Sequence, residues 1–298
     1  MKFRMPKQLV FGWTLSMFMI VATYYIETIP PKFTEFFEGD IALSYSVHDT
    51  VPYKYVIISC FVIPVIICSL FIVICNPKDA PVWIHDLVFV SVRSYAFDEI
   101  VVVLLKNFIG RPRPCFFQLC QYENTTSILP SGDIRVTFGN FGVMGDVRKC
   151  RGTKESIYNA FRSFPSGHSA TSVNGLLTVL QFLYRFIDTT FSLKQYQVRL
   201  LKGFLSIPFI AWVGFILGSR IFDYRHRPED VIGGMVIGSL SSVFIMKLFH
   251  PFVSNSRRIV NDLKNKGAPY TWSRFFSDTS ESIVNVYSPV SKPESAIV

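Results

Sequence analysis

Ser219-Arg220-Ile221-Phe222-Asp223-Tyr224-Arg225-His226-Arg227-Pro228-Glu229-Asp230 stands between two long apolar runs, residues 200–218 before it and 231–249 after it. Each run is long enough to cross hydrocarbon as a helix, so the stretch reads as a short turn at the edge of a membrane. Ionisable groups are costly that close to lipid, and where they occur they mark function by default. Pro228 suits the first turn of the following helix, and His226 and Asp230 are spaced to meet if that turn is helical. A carboxylate beside an imidazole fixes its tautomer and stabilises its cation, which prepares a histidine to act as nucleophile or base. A basic juxtamembrane loop has the same composition, so this stretch by itself decides the architecture and not the chemistry.

The composition extends that reading to the whole chain. Half of the 298 residues are hydrophobic, 15% are aromatic and 17% are charged, against about a quarter charged in soluble domains. This is the composition of an all-α, multi-pass integral membrane protein. The net charge of +9 is expected to serve topology and contact with anionic lipid. No basic stripe interleaved with aromatics suggests a nucleic-acid partner. Of six cysteines, Cys60, Cys68 and Cys75 lie in one apolar run and Cys115, Cys120 and Cys150 in one polar segment. Neither group has zinc-ligand spacing, and no metal site is expected.

Six crossings are expected, at about residues 10–26, 55–75, 82–108, 167–186, 200–218 and 231–249. The first lacks a small-residue cleavage site after it and is read as an anchor, not a signal peptide. The third is the weakest, because Asp86, Arg93, Asp98 and Glu99 interrupt it. Asp86 and Arg93, like Glu99 and Lys106, fall near one helical stripe and are expected to face the bundle. Pro64 in the second can be tolerated or can kink it. Residues 109–164 carry no trusted pattern and read as a long polar loop. The divisions are therefore a cytosolic N-terminus at 1–9, a six-helix domain at 10–250 and a flexible cytosolic tail at 251–298.

With six crossings, the polar stretches after the third, before the fourth and between the fifth and sixth all open on one side. Total Lys and Arg are split too evenly to say which. The basic flank of the first helix (Lys2, Arg4, Lys7) and the acidic residues beyond it favour cytosolic termini and a lumenal or extracellular site. Asn124-Thr125-Thr126 is a possible glycosylation sequon, and Cys120 and Cys150 a possible disulfide; both belong to the lumenal side.

Two further stretches carry chemistry. Lys106-Asn107-Phe108-Ile109-Gly110-Arg111-Pro112-Arg113-Pro114 offers an ammonium and two guanidiniums suited to phosphate oxygens. Ser166-Gly167-His168 presents backbone N–H groups at a helix N-terminus, with glycine permitting close approach. Taken with the opening stretch, Lys-x6-Arg-Pro, Pro-Ser-Gly-His and Ser-Arg-x5-His-x3-Asp follow in order at 106–114, 165–168 and 219–230. This order resembles the signature of the type 2 phosphatidic acid phosphatase (PAP2) superfamily. The resemblance covers most of residues 55–250 and is closest to eukaryotic lipid phosphate phosphatases and fungal-type diacylglycerol pyrophosphate phosphatases. Cys115 stands where such proteins often have His or Asp, and Cys120 falls where they commonly place a cysteine.

The resemblance implies a six-transmembrane bundle of the PAP2 / vanadium haloperoxidase-like type and a role for each residue. His226, oriented by Asp230, would attack phosphorus and form a phosphohistidine. Lys106, Arg113, Ser166, Gly167 and Arg220 would hold the phosphoryl oxygens, and His168 would protonate the leaving oxygen. Protein cations would replace magnesium, so no cofactor is expected. The expected substrate is phosphatidate, lysophosphatidate or diacylglycerol pyrophosphate. The alternatives are a sphingoid-base phosphate or polyprenyl pyrophosphate phosphatase of the same superfamily, or a non-catalytic phospholipid-binding or transport protein. The membrane is that of vacuole, Golgi or endoplasmic reticulum, or the plasma membrane; oligomeric state leaves no trace in the sequence.

Overall fold

The computed structural model describes residues 7–45, 49–77, 79–123, 126–128, 134–136, 142–191 and 193–265. Helix α1 (Lys7–Thr28) leads through an irregular connection to α2 (Tyr53–Ile57), which continues through a π turn (Ile58–Val62) into α3 (Ile63–Cys75). Then come α4 (Ala80–Ile109), the short α5 (Phe116–Cys120), a hairpin of β1 (Thr126–Ile128) and β2 (Ile134–Val136), and α6 (Lys154–Ala160). The chain closes with α7 (Gly167–Thr190), α8 (Gln195–Phe222) and α9 (Pro228–Asn265).

Composition sorts these helices into centre and periphery. Four segments are apolar and long enough to cross a membrane: Val10–Thr28, Tyr53–Cys75, Gln195–Phe222 and Pro228–Leu248. They leave side chains such as Phe18, Ile67, Phe204 and Leu240 outward, as a lipid-facing surface does. The polar helices α4 and α7 lie between them. Asp86, Arg93, Asp98 and Glu99 of α4 are all buried, as the stripe argument required. On α7, Thr171, Asn174 and Thr178 are fully buried. Ser94 donates to Asn174 Oδ1 and Thr178 donates to Ser94, each at 3.0 Å. Polar side chains that lipid would not tolerate thus satisfy one another inside the bundle.

Small residues set the closest contact. A Cβ on Gly238 would lie 2.2 Å from the Ala170 carbonyl oxygen, and one on Gly234 would lie 2.4 Å from that of Ser166. These two glycines, one turn apart on α9, let it press on the start of α7, as small-residue pairs do between membrane helices. Pro64 acts differently. Lacking an N–H, it cannot bond the Cys60 carbonyl, the helix there widens into the π turn, and that carbonyl lies where a Cβ on Gly175 of α7 would meet it at 2.6 Å. The helix is therefore locally unwound at Pro64, between the tolerated and kinked alternatives.

Outside the bundle, residues 109–164, expected to form a patternless loop, contain short helices. Phe36, Leu43, Phe116, Phe117, Tyr122, Ala160 and Phe161 make a separate buried cluster over the helix ends. The Cys120–Cys150 disulfide closes it, with Cα atoms 4.9 Å apart, and Glu38 accepts from Tyr122 at 2.7 Å and from Lys149 at 2.8 Å. Elements of three to seven residues are too short for hydrophobic periodicity to show. The small hairpin makes the chain all-helical only in its bundle, and α9 runs beyond the expected boundary at residue 250, to Asn265. Asn124 and residues 266–298 of the expected tail lie outside the described residues.

Candidate active site

Close packing of α9 on α7 brings the second and third polar stretches together. Ser166 N–H donates to the Asp230 carbonyl at 2.9 Å, and Ser163 Oγ donates to Asp230 Oδ2 at 2.6 Å. Oδ2 also accepts from the Arg227 N–H at 3.0 Å, while Oδ1 accepts from Arg111 at 2.8 Å. Asp230 is fully buried and each of its carboxylate oxygens has at least one donor, so its position is fixed from three segments. Gly110 ends α4 in the left-handed region, φ 64°, which turns the chain so that Arg111 and Arg113 face the same place.

His226 sits in the turn between α8 and α9, 3% exposed. Its Nδ1 is 3.9 Å from Asp230 Oδ2, an ion-pair distance longer than a hydrogen bond. Its Nε2 is 3.3 Å from Nη1 of Arg113. A guanidinium can only donate, so Nε2 carries the lone pair and Nδ1 carries the proton, directed at the carboxylate. Burial first and the neighbouring Arg113 cation second push the His226 pKa down to about 3. The imidazole is therefore neutral near pH 7, its free lone pair lying beside a guanidinium.

The cations are held as firmly. Arg113 donates from Nε to the Asn159 carbonyl and from Nη2 to the Asn159 side chain, both at 2.8 Å, and burial lowers its pKa to about 10. Arg220, 1% exposed, donates to Asp223 Oδ2 and to Asp49 Oδ1, each at 3.0 Å, and to Ser219 Oγ. Arg225 reaches the other Asp49 oxygen at 3.3 Å. Thr50 donates to both oxygens of Asp223, so the α1–α2 connection is tied to this end of α8. Lys106 Nζ lies 2.9 Å from where a Cβ on Gly167 would stand, so the absence of a side chain there lets the ammonium sit against the start of α7. Among the described residues its ammonium enters no ion pair or hydrogen bond.

His168, in the first turn of α7, has Nε2 3.0 Å from the Val51 carbonyl. A carbonyl only accepts, so this ring carries its proton on Nε2. Arg220, His226 and Lys106 are near enough to act on it electrostatically. Ser166 is buried and caps α7, its Oγ accepting from Ser169 Oγ at 2.9 Å. The N–H groups of Gly167 and His168 follow it and have no intrahelical acceptor.

The three stretches therefore meet: His226, Asp230, Arg113, Arg220, Lys106, Ser166, Gly167 and His168 surround one place at one end of the bundle. Arg111, one of the two guanidiniums of the first stretch, is the partner of Asp230. Ser163, Asn159, Asp49 and Thr50 have no role in the sequence reading. Asn159, Asp49 and Thr50 lie in segments without a motif, and the signal for Asp49 was indirect: a buried arginine requires a counter-charge. Arrangements of this kind, a neutral nucleophile ringed by fixed donors, suit transfer of an anionic group.

A model of the PAP2 superfamily matches residues 87–254. "Lipid phosphate phosphatase 2" of Arabidopsis thaliana is 28% identical over 246 residues, covering 80% of this chain and 76% of its own. "Probable diacylglycerol pyrophosphate phosphatase 1" of Schizosaccharomyces pombe is 30% identical over 232 residues, covering 74% of each chain. No solved structure matches.

Proposed function

The chain belongs to the PAP2 superfamily, and from that premise we propose how it acts as a multi-pass lipid phosphatase. The relatives named for lipid phosphates and for diacylglycerol pyrophosphate favour a terminal phosphate on phosphatidate, lysophosphatidate or diacylglycerol pyrophosphate as substrate. All six long helical segments cross the bilayer, α4 and α7 shielded by the other four. The disulfide between Cys120 and Cys150 supports an oxidising, lumenal or extracellular compartment for the site, with cytosolic termini.

His226 Nε2 attacks phosphorus in line with the departing lipid oxygen. The phosphorus–oxygen bond breaks as the phosphorus–nitrogen bond forms, and the ring becomes a cation beside Asp230. Lys106, Arg113 and Arg220, with the N–H groups at the start of α7, take the three phosphoryl oxygens. The proton on His168 Nε2 goes to the leaving oxygen once it is released from the Val51 carbonyl. Water then cleaves the phosphohistidine. Since three side-chain cations surround the phosphoryl group, the reading requires no magnesium.

The observation that carries this reading is the placement of His226, its lone pair toward Arg113 and its N–H toward Asp230. Phosphate release by purified protein is the test, with phosphatidate, diacylglycerol pyrophosphate, a phosphorylated sphingoid base and a polyprenyl pyrophosphate, in EDTA. Release from the first two that persists in EDTA and disappears in His226→Ala is expected. Activity restored only by magnesium, or retained in His226→Ala, overturns the mechanism.

A further inference from the structure

Two hollows share the same walls. The upper is a polar cavity of about 950 Å³ bounded by α1, α2, α4 and α6, where Lys106, Lys154, Arg162, Glu27 and Tyr53 face in. It adjoins the site through Lys106 and through Asn159, which holds Arg113. The lower is an apolar groove of about 430 Å³ between α1, the α2–α3 helix and α4, with Ile20, Ile57, Val62, Ile66, Val92 and Tyr95 among its walls. On α1 the cavity ends at Tyr24 and the groove begins at Ile20; on α2 the corresponding residues are Tyr53 and Ile57. Both steps are one helical turn, about 6 Å along the axis. The groove is open sideways, since Met17, Val62 and Ile66 are each about half exposed on the lipid-facing surface.

We propose that this two-storey cleft between α1 and α2–α3 seats the glycerolipid substrate, with one acyl chain in the groove and the polar glycerol region in the cavity. The inference rests on the lipid phosphatase reading above and adds where the lipid lies and how it arrives. Adjacency selects the occupant. A chain in the groove ends, on α1 and α2, one helical turn from the cavity that Lys106 lines, so a lipid spanning the two brings its head group to the cations without leaving the bilayer. The floor is α4 and the exposed walls are apolar, the Ser91 hydroxyl lying buried behind them, so a hydrocarbon chain covers no exposed polar group there. From Lys106 to Tyr95 along α4 is roughly 16 Å, about the depth of one leaflet, so the groove receives the lower half of a long chain and a short one stays above it.

Two measurements test this. Phosphatidate carrying a photoreactive diazirine midway along one chain, incorporated in phosphatidylcholine vesicles with wild-type protein, is expected to label α1 around Ile20 and α2–α3 around Ile57 to Ile66. Labelling should fall at least fivefold with excess unlabelled phosphatidate. Equal labelling by a diazirine phosphatidylcholine, indifference to competitor, or label confined to α8 and α9 overturns the proposal, the first two marking the groove as an ordinary lipid contact. In Val92→Phe, which narrows the groove, the ratio of kcat/KM for a long-chain phosphatidate to that for a short-chain one should fall at least tenfold. An unchanged ratio in folded protein also overturns it. Absence of phosphate release from every lipid by the wild type would instead sink the enzymatic reading, and labelling would still report the seat.

Discussion

Replacing Asp230 by asparagine separates the electrostatic duty of this carboxylate from its structural one. Asp230 Oδ2 lies 3.9 Å from His226 Nδ1, and two unit charges at that separation interact by about 4 kcal/mol at an effective dielectric of about 20. The resting imidazole is neutral, its pKa held near about 3, so most of that interaction is absent before reaction. In the proposed mechanism it develops as Nε2 bonds phosphorus and the ring becomes cationic. The loss therefore falls on kcat with little change in KM. At 1.36 kcal/mol for each factor of ten, Asp230→Asn should lower kcat by about 10³-fold. Asparagine keeps the shape and can still accept from Ser163 and the Arg227 N–H. The assay is phosphate release from a soluble short-chain phosphatidate, with circular dichroism and gel filtration to establish the fold. Ser163→Ala provides the contrast: it removes one hydrogen bond to Asp230 but leaves the charge, and should cost about tenfold or less. A folded Asp230→Asn enzyme within tenfold of wild-type kcat, or one changed only in KM, refutes the reasoning.

Other outcomes follow from the same contacts. Asp49→Asn removes a half-exposed anion from Arg220 and Arg225; such a pair is worth up to about 1 kcal/mol, so inhibition by inorganic phosphate should strengthen about fivefold, and weaker inhibition would contradict competition between Asp49 and phosphate. The depressed His226 pKa, down to about 3, means that the unfolded chain takes up a proton near pH 6.5 that the folded protein refuses. Stability is then lost as pH falls from about 6.5 toward 3, by up to about 3 kcal/mol by pH 4; thermal melting in detergent should show wild type losing more than His226→Gln over that range, and parallel losses would contradict the neutral assignment. Gly238→Val puts methyl groups beyond a Cβ already 2.2 Å from the Ala170 carbonyl and should prevent α9 from seating on α7, seen as loss of monodisperse folded protein; a well-folded variant would contradict the packing.

The helices were legible because hydrocarbon imposes a coarse rule that even single sequences obey: about twenty apolar residues, or polar ones hidden from lipid. The charges that made α4 doubtful by hydropathy are what put it at the centre. Legibility of the candidate site came from a different source, the ordered motifs around Lys106, His168 and His226, whose residue types suit phosphate. The residues that position them were not visible. Asn159 braces Arg113 from a seven-residue helix, and Asp49 meets Arg220 across 171 positions of chain. Such contacts depend on tertiary closure of the cap, where neither period nor motif applies. The Asp230–His226 spacing does bring the two side chains near each other, but not through the helical turn that the expectation presupposes: Pro228 starts α9 after His226, which leaves the histidine in the preceding turn and its Nδ1 3.9 Å from the carboxylate.

Charge balance connects the cap to the chemistry. Around His226, Arg111, Arg220 and Arg225 pair directly with Asp230, Asp223 and Asp49, while Arg113 is braced by Asn159 and Lys106 feels Glu99 and Glu27 only at longer range. Arg113 and Lys106 are thus an excess of two cations without a carboxylate in direct contact among the described residues, a state that burial alone would disfavour. A phosphate monoester carries close to two negative charges, so it neutralises the excess where a single carboxylate or a zwitterionic head group does not. Arg111, Arg113 and Arg220 have fixed protein partners, whereas Lys106 has none among the described residues, and Asp49 is the exposed member of the set. In the proposed mechanism the incoming phosphoryl group meets a pocket already shaped by Asp230, Asp223 and Asn159, completes its charge at Lys106, and contends with Asp49 for Arg220. That division lets the structure hold its cations in place before substrate arrives without cancelling the attraction that draws the substrate in.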